Sequence, residues 1–320
     1  MNELALAVFA SETGTHLVAP PNGARWAAHL RDFDAHAYEE RLASRDLRFV
    51  SALPPLLRAI HDPPPGLFVR GDADVELLAR SAVAVVGARM CSGYGASVAR
   101  GLARELAGAG LVVVSGLARG VDGEAHRGAL EGGGSTVAVL GCGVDRDYPA
   151  AHSELARRIV DSGGLIVSEY APGVEPAPWR FPARNRIVAG LCAATIVVEA
   201  RERSGALITT DLALEEGREV FAVPGEITSA LSAGTNNLLK LGASPLTCAA
   251  DVLSCFGLEA AGEEEPVALL ELLPATADEL VRATGSSAAE IARALVELEL
   301  TGRVAAADGV YRALSSMRRP

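Results

Sequence analysis

The sequence has few aromatic residues, almost no lysine and no long hydrophobic run. Phe, Trp and Tyr together make up 4% of its 320 residues, so Ala, Val, Leu and Ile must build the core. The longest apolar runs, Ser81–Gly87 and Ala194–Glu199, are far shorter than the roughly 18 residues that a membrane-spanning helix needs. The first residues, Met1–Leu4, lack the basic start of a secretory signal. We therefore expect a cytoplasmic protein without membrane contact.

Cysteine is also scarce, and its spacing in the sequence does not match that of metal-binding or disulfide-bonded cysteines. The sequence contains 5 cysteines and no CxxC pair. The two that lie nearest each other in the sequence are Cys248 and Cys255, and this spacing argues against a zinc site or a disulfide framework. We expect no bound metal and a reducing compartment.

The charge balance limits the ways in which this chain can bind nucleic acid. Its net charge of −11 argues against a whole surface that coats nucleic acid, but it allows a local basic groove. Lys240 is the only lysine among the 29 basic residues. Arginine makes bidentate contacts with phosphate and stacks on bases. A coding bias towards arginine explains the same composition, so composition alone does not decide the function.

From residue 81 onwards, short apolar runs alternate with helical stretches. This alternation is typical of a parallel sheet that is buried on both faces. It predicts an α/β domain with a doubly wound, Rossmann-like, mostly parallel sheet over residues 71–258. The predicted strands are 82–87, 111–115, 136–141, 165–168, 194–199 and 219–223, and the predicted helices are near 95–107, 121–130, 153–161, 185–191 and 206–216.

Three further segments flank this domain. Residues 1–70 contain short helical patches and end in a proline-rich stretch and a short strand, so we expect a small helical N-terminal domain. Residues 259–266 are acidic and predict a solvated linker. The order helix, helix, turn, helix, hairpin over 267–320 predicts a winged-helix domain.

Glycines, hydroxyl residues and arginines collect where the predicted strands end. Open α/β sheets bind ligands at this edge, and a helix N-terminus there favours an anion. The loop at 87–95 does not have the dinucleotide spacing G-x-G-x-x-G, and a tight turn explains its glycines equally well. No His–Asp pair lies at this edge, so we expect neither catalysis nor a cofactor. The residues concerned are Gly87 and Arg89 after the first strand, Ser115, Gly116 and Arg119 after the second, and Glu199, Arg201, Arg203, Ser204, Gly205 and Thr209 after the fifth.

The densest signal is the segment 179–186, which holds three arginines and two aromatic residues. Aromatic rings stack on bases while guanidinium groups hold phosphates, so this mixture suits single-stranded nucleic acid. The alternative is a network of arginines and carboxylates with Phe181 in the core. Pro182 is expected in the first turn of the helix that follows.

Seven stretches resemble the DNA processing protein A family (DprA, also called Smf). The stretches follow the family's order, and the resemblance covers roughly residues 62–257. The stretches at 115–122 and 181–186 are the most specific. The stretches are DPP (62–64), VVGAR (85–89), SGLARGVD (115–122), AVLGCG (138–143), FPARNR (181–186), SGALIT (204–209) and GREVFAVPG (217–225).

The resemblance implies a protein of natural transformation and recombination that binds single-stranded DNA, protects it and loads the RecA recombinase onto it. It also implies a sterile-alpha-motif-like N-terminal domain, an extended Rossmann domain, a winged helix, a homodimer, contact with single-strand-binding protein and no turnover. The family's Gly-Ser-Arg loop matches 87–89, where Ala88 removes the hydroxyl. The DNA-binding residues expected here are Gly87, Arg89, Ser115, Gly116, Arg119, Arg180, Phe181, Arg184, Asn185, Arg186, Ser204, Gly205 and Thr209.

The family's dimer and recombinase surfaces overlap near the segment 234–243. This match assigns Leu238, Leu239 and Lys240 to a dimer or partner surface. The two leucines fit a plain core position equally well.

Two other functions remain open from the sequence. A Rossmann-like nucleotide hydrolase of the phosphoribohydrolase type would use Glu199 as a base. A transcription regulator would read duplex DNA through the winged helix, although the helix at 288–300 offers only Arg293 against Glu290, Glu297 and Glu299. That acidic helix argues against a DNA clamp.

Overall fold

The structure is a computed structural model that describes residues 3–15, 19–258, 269–300, 303–307 and 309–313. Its contacts divide the chain into two compact units, Met1–Ala260 and Ala261–Pro320. The predicted linker over 259–266 lies outside the described residues.

A nine-stranded sheet forms the centre of the first unit. Its order is β1-β2-β6-β5-β4-β3-β7-β8-β9. All neighbours from β6 to β9 are parallel, and β1 and β2 add an antiparallel edge. The strands are β1 (Leu47–Val50), β2 (Leu67–Arg70), β3 (Ala82–Val86), β4 (Val112–Ser115), β5 (Thr136–Val139), β6 (Leu165–Ser168), β7 (Ala194–Val197), β8 (Glu219–Ala222) and β9 (Ser244–Pro245).

Helices cover both faces of this sheet, and two separate apolar clusters lie against its two sides. Strands β3 to β7 are buried along their whole length, which explains why the sequence shows continuous Val, Ile and Ala runs. The mixed α/β fold with a mostly parallel sheet is therefore confirmed. The helices are α1 (Glu3–Thr13), α2 (Ala24–Asp32), α3 (Ala35–Ala43), α4 (Pro55–Arg58), α5 (Gly93–Gly108), α6 (Val121–Glu131), α7 (Ser153–Asp161), α8 (Arg180–Gly190), α9 (Gly205–Glu215), α10 (Ala233–Lys240) and α11 (Ala249–Leu253).

Helix α8 begins five residues before the predicted start at Asn185. Pro182 lies in its first turn, as expected, where its missing N–H removes no helical hydrogen bond. Among the described helices, none is both long enough and apolar enough to cross a membrane.

The N-terminal region is helical as far as Ala43, but its two strands join the main sheet. Phe68 pairs with Ser168 across β2 and β6, and Leu67, Phe68 and Val69 are fully buried. The sequence predicts that the N-terminal domain ends at residue 70 and that the sheet belongs to residues 71–258. In the structure, β1 and β2 lie before residue 70 and are part of that sheet.

The order in which the chain adds strands to the sheet reverses between β3 and β7. The chain passes from β3 to β6 towards one edge, then returns to place β7 on the other side of β3. Such a switch point leaves a crevice at the carboxyl ends of the two central strands. The loop after β3 is fixed there, because Ala88 N donates to Glu199 O (2.7 Å) and Val121 N donates to Ala88 O (3.2 Å).

The second unit carries the elements of the predicted winged helix. The three-stranded sheet has the order β10-β12-β11. Thr276 and Glu279 form a reciprocal capping box at the start of the first helix, and Gly285 ends that helix in a left-handed conformation. The elements are β10 (Ala275–Thr276), α12 (Ala277–Thr284), α13 (Ala288–Leu300), β11 (Val304–Ala307) and β12 (Val310–Ala313).

One buried histidine links the stability of the first unit to pH. Thr136 donates its hydroxyl proton to Val113 O (2.7 Å), so the Nδ1 of His126, 2.7 Å from the same hydroxyl, must donate to it. Its Nε2 is buried without a hydrogen-bond partner among the described residues. Burial, and next the neighbouring His152, lower the pKa of His126 to about 3.

We expect acid to destabilise the protein through His126. Between pH 6.5 and 3 the unfolded chain binds a proton that the folded chain excludes, so the free energy of unfolding falls by about 1.4 kcal/mol per pH unit in that window. Urea unfolding at pH 7, 6 and 5 measures this slope. His126→Asn should remove this contribution, whereas His36→Asn, at an exposed position, should keep it. Equal slopes in the two variants would contradict the assignment.

Candidate functional site

A cavity of about 490 Å³, called the arginine pocket below, opens at the switch point of the sheet. The segments that follow β3, β4 and β7 meet there with the starts of α8 and α9. Nine of the thirteen residues predicted to bind DNA line it. These are Gly87, Arg89, Gly116, Phe181, Arg184, Asn185, Ser204, Gly205 and Thr209.

Guanidinium groups dominate the charge of this pocket. Arg89, Arg184, Arg201 and Arg203 line it, and Asp122 is the one carboxylate among the described lining residues. Arg89, Arg201 and Arg203 are exposed and form no ion pair within the described part of the chain. The pocket is therefore a local cationic site on an anionic protein, and it suits a phosphate-bearing ligand.

Arg184 is the buried cation of the pocket. Its side chain is 4% exposed, and its Nη1 donates to Gly116 O (3.0 Å). Its Nε has no hydrogen-bond partner among the described residues. Burial lowers the pKa of Arg184 and raises the pKa of the buried Asp122, while the attraction between the two opposes both shifts. Arg184 thus lines the pocket while its Nε keeps an unused donor.

Glycine at position 116 permits this arrangement. A Cβ there would overlap the guanidinium of Arg184 and lie 2.7 Å from Asp122 Oδ2. The Gly116 loop therefore brings its backbone into direct contact with the charged pair.

The N-terminus of α9 adds backbone donors to the same pocket. Ser204 caps this helix by accepting from Ala206 N (3.3 Å), and Asn185 Nδ2 donates to Gly205 O (3.2 Å). The positive end of the helix dipole at this N-terminus favours a bound anion. Asn185 therefore positions the start of α9 as well as lining the pocket.

Phe181 forms an aromatic wall of the arginine pocket. The Arg89 guanidinium lies 5.2 Å from its ring centroid, and the Tyr148 ring lies 5.2 Å away at an interplanar angle of 24°. On its inner side the ring packs on Gly141, where a Cβ would lie 3.0 Å from Phe181 Cδ1. The sequence leaves open whether Phe181 lies in a binding pocket or in the core. In the structure Phe181 is half-buried and lines the pocket.

Arg186, which the sequence predicts to contact DNA, lies in a buried ion-pair network instead of the arginine pocket. Its side chain is 8% exposed and lies outside the pocket. It forms ion pairs with Glu169 (2.7 Å) and Asp62 (3.2 Å). The predicted arginine–carboxylate network therefore exists, but it takes up Arg186 and leaves Arg184 in the pocket, because successive α8 positions face different sides of the helix.

Three other predicted residues also lie outside the pocket lining. Ser115 is fully buried and donates its hydroxyl to Val85 O (2.6 Å), so this hydroxyl supports the sheet. Arg180 lies over the rings of Tyr170 (5.2 Å) and Trp179 (4.8 Å) beside a separate small cavity. Arg119 is exposed but does not line the pocket. Neither arginine therefore lines this pocket, and the assignment of both to DNA stays a prediction.

Two pocket residues were noted in the sequence but omitted from the predicted set. Arg201 and Arg203 follow β7, and the topology brings that strand beside β3. Their position after a strand at the switch point was the signal that marks them, because ligands of open α/β sheets bind there.

The predicted partner surface on α10 is only partly exposed. Leu238 is 7% exposed and packs in the core, Leu239 is partly buried, and Lys240 is exposed. Leu238 also lines a groove beside α9 and α10, where Ile208 (40% exposed) and Leu241 (77% exposed) face solvent. The assignment of this segment to a partner surface stays a prediction.

Glu199 would be the base of the alternative hydrolase, but its carboxylate is hydrogen-bonded to the loop before α5. Its carboxylate accepts from Ser92 N (2.8 Å) and from the Ser92 hydroxyl, and it is 3% exposed. It does not line the arginine pocket, so this alternative is not favoured.

Comparisons with known proteins show which sequences and folds this chain is similar to. The family model of DNA recombination-mediator protein A matches residues 48–257, and that of the DprA winged helix domain matches residues 259–309. The chain is 48% identical over 204 residues to the DNA processing protein DprA of Streptococcus pneumoniae, across 62% of this chain and 70% of that protein.

Two solved structures are similar to the fold described here. The X-ray structure of DNA processing protein A from Streptococcus pneumoniae has a TM-score of 0.67 and 39% identity, and covers 79% of this chain and 93% of that one. A structure of DNA processing protein A from Helicobacter pylori, which concerns its single-stranded DNA binding mode, has a TM-score of 0.60 and 32% identity. It covers 66% of this chain and 95% of that one.

Proposed function

The chain belongs to the DNA recombination-mediator protein A family, as the resemblance predicted, and from that premise we propose that its arginine pocket binds single-stranded DNA. The observation that carries this proposal is the convergence of four arginines on one cavity beside an aromatic wall. The structure of the Helicobacter pylori relative concerns its binding of single-stranded DNA, which supports the same ligand class.

The contacts of the pocket favour recognition of the backbone over recognition of a sequence. Arginine side chains and the α9 N-terminus are donors that phosphate oxygens accept from in any sequence. Asp122 is the exception, because a buried carboxylate repels phosphate and accepts from amino groups. A single strand fits this geometry better than a duplex, since its flexible backbone can bring one nucleotide into a cavity.

A direct comparison of ligands tests the proposal. A fluorescent (dT)20 oligonucleotide and a duplex of equal length are titrated with the full chain at one salt concentration. We expect tight binding of the single strand and much weaker binding of the duplex, which would also distinguish this function from transcription regulation through the winged helix. Preference for the duplex would contradict the proposal.

We propose further that the protein acts in the cytoplasm during natural transformation and protects incoming strands. It would load the RecA recombinase onto them in the presence of single-strand-binding protein, without turning over a substrate. Family membership supports this role. RecA filament formation on strands coated with single-strand-binding protein should accelerate when the full chain is added. Incubation with nucleoside monophosphates should release no free base, and base release at ordinary rates would favour the hydrolase instead.

We propose that the groove beside α9 and α10 is the contact surface of a homodimer. Exposed apolar side chains gathered in one groove are typical of an interaction site. Leu241→Asp places a charge in the proposed contact, so we expect light scattering to report about half the wild-type mass. Leu214→Asp alters an exposed leucine of α9 that does not line this groove, and should leave the mass unchanged. A wild-type mass for Leu241→Asp would remove this groove from the dimer.

A further inference from the structure

The ring of Phe181 is already engaged in the free protein. Arg89 and Tyr148 both lie against it, each about 5.2 Å from its centroid. Phe181 is itself half-buried, whereas Tyr148 is 40% exposed. The ring that this aromatic stack presents to solvent is therefore Tyr148.

We propose that Tyr148 is a base-stacking residue at the rim of the arginine pocket, for a nucleotide next to the one whose phosphate the arginines hold. This inference rests on the proposed function of that pocket. Phe181 lines the pocket and contacts Tyr148 directly, so the tyrosine ring extends the aromatic wall outwards from the cationic site. Proteins that bind single strands without sequence preference combine a cationic groove with rings on which successive bases stack.

The charges around Tyr148 allow a polyanion to approach. The neighbouring carboxylate of Asp147 pairs with Arg70 (2.7 Å). In the same loop Arg146 pairs with Glu175 (2.7 Å). Both carboxylates are thus offset by arginines, and the Arg89 guanidinium lies over the same Phe181 ring that Tyr148 contacts.

The role of the Tyr148 ring is separable from that of its hydroxyl. Stacking uses the ring face, which phenylalanine keeps and alanine removes. We expect Tyr148→Ala to weaken (dT)20 binding by about 5- to 150-fold, the range of a lost base–aromatic stack, while Tyr148→Phe binds like the wild type. The matched control is Tyr94→Ala, because Tyr94 is also exposed but lines a neighbouring cleft, where its hydroxyl donates to Pro224 O (3.2 Å).

The experiment titrates these full-length variants and Arg89→Ala with labelled (dT)20, after circular dichroism has confirmed folding. In parallel, the wild type is irradiated with an oligonucleotide carrying 5-iododeoxyuridine, and the crosslinked peptide is sequenced. We expect the crosslink at Tyr148, a result that needs no variant to fold.

Three results would overturn the inference. The first is wild-type affinity of Tyr148→Ala, the second is equal weakening by Tyr148→Ala and Tyr148→Phe, and the third is crosslinking only at other residues. If Arg89→Ala is still weakened in these cases, the pocket stands and only the stacking role fails. If the wild type does not bind (dT)20 at all, the proposed function itself fails.

Discussion

Replacing Arg89 by Ala and Arg184 by Gln in one protein should lower its affinity for single-stranded DNA by two to four orders of magnitude. Hydrogen bonds to charged groups contribute about 1.5–3 kcal/mol each, and every 1.4 kcal/mol corresponds to about a tenfold change in affinity. Arg184 is the buried cation of the arginine pocket and Arg89 the exposed one on its aromatic wall, so the double variant removes charge from two sides. Fluorescence anisotropy with (dT)20 measures the loss.

The same experiment needs a control for folding and for general charge. Arg184→Gln removes the cation near the buried Asp122, but burial raises the pKa of that carboxyl, so it accepts a proton more readily than an ordinary aspartate. The matched control is Arg157→Ala, which removes an exposed arginine paired with Glu154 and Asp161 on α7, outside the pocket. If the double variant folds and binds as tightly as Arg157→Ala, the arginine pocket is not the DNA site.

Arg186→Met should lower the free energy of unfolding by about 3–5 kcal/mol, because removing one partner of a buried ion pair leaves the other charge without compensation. The partner is Glu169, whose side chain is 7% exposed, whereas Asp62 is 37% exposed and stays hydrated. Methionine keeps much of the side-chain volume, so the loss reports the charge more than a cavity. Urea unfolding at pH 7 measures the effect.

Two further measurements decide what Arg186 does. Adding Glu169→Gln to Arg186→Met removes the buried negative charge that Arg186 compensates in the wild type, and should recover part of the lost stability. At a temperature where Arg186→Met is still folded, this variant should bind (dT)20 as tightly as the wild type. A stable variant that has lost DNA binding would restore the sequence-based assignment of Arg186 to the DNA site.

The contrast between Arg184 and Arg186 shows which features of the fold and the site the sequence predicts and which it does not. The order of strands and helices, and the sheet edge at which the arginine pocket opens, follow from apolar periodicity and from glycine at strand ends. The FPARNR segment also identifies the helix that brings arginines to that edge. It does not say which arginine faces the pocket, since this depends on the exact start of α8 and on the carboxylates at Asp62 and Glu169, which come from distant segments.

Tertiary contacts account for the other differences as well. Ser115 carries a hydroxyl in a loop-like sequence, yet its position at the end of β4 directs that hydroxyl to the β3 backbone. The sequence does not decide whether Leu238 lies on the surface or in the core. The packing of α10 against the sheet buries most of its side chain. Tyr148 enters the site only through its contact with Phe181, which lies 33 positions further along the chain.

The salt dependence of binding tests the central claim most directly. For single strands the slope of log K against log salt concentration is about −0.7 for each phosphate neutralised, so a strand held by all four pocket arginines should give about −3. Arg89→Ala with Arg203→Ala removes two exposed cations and should reduce the magnitude of the slope by about 1.4. A slope that stays the same in this variant, with wild-type affinity, would show that the strand binds elsewhere on the protein.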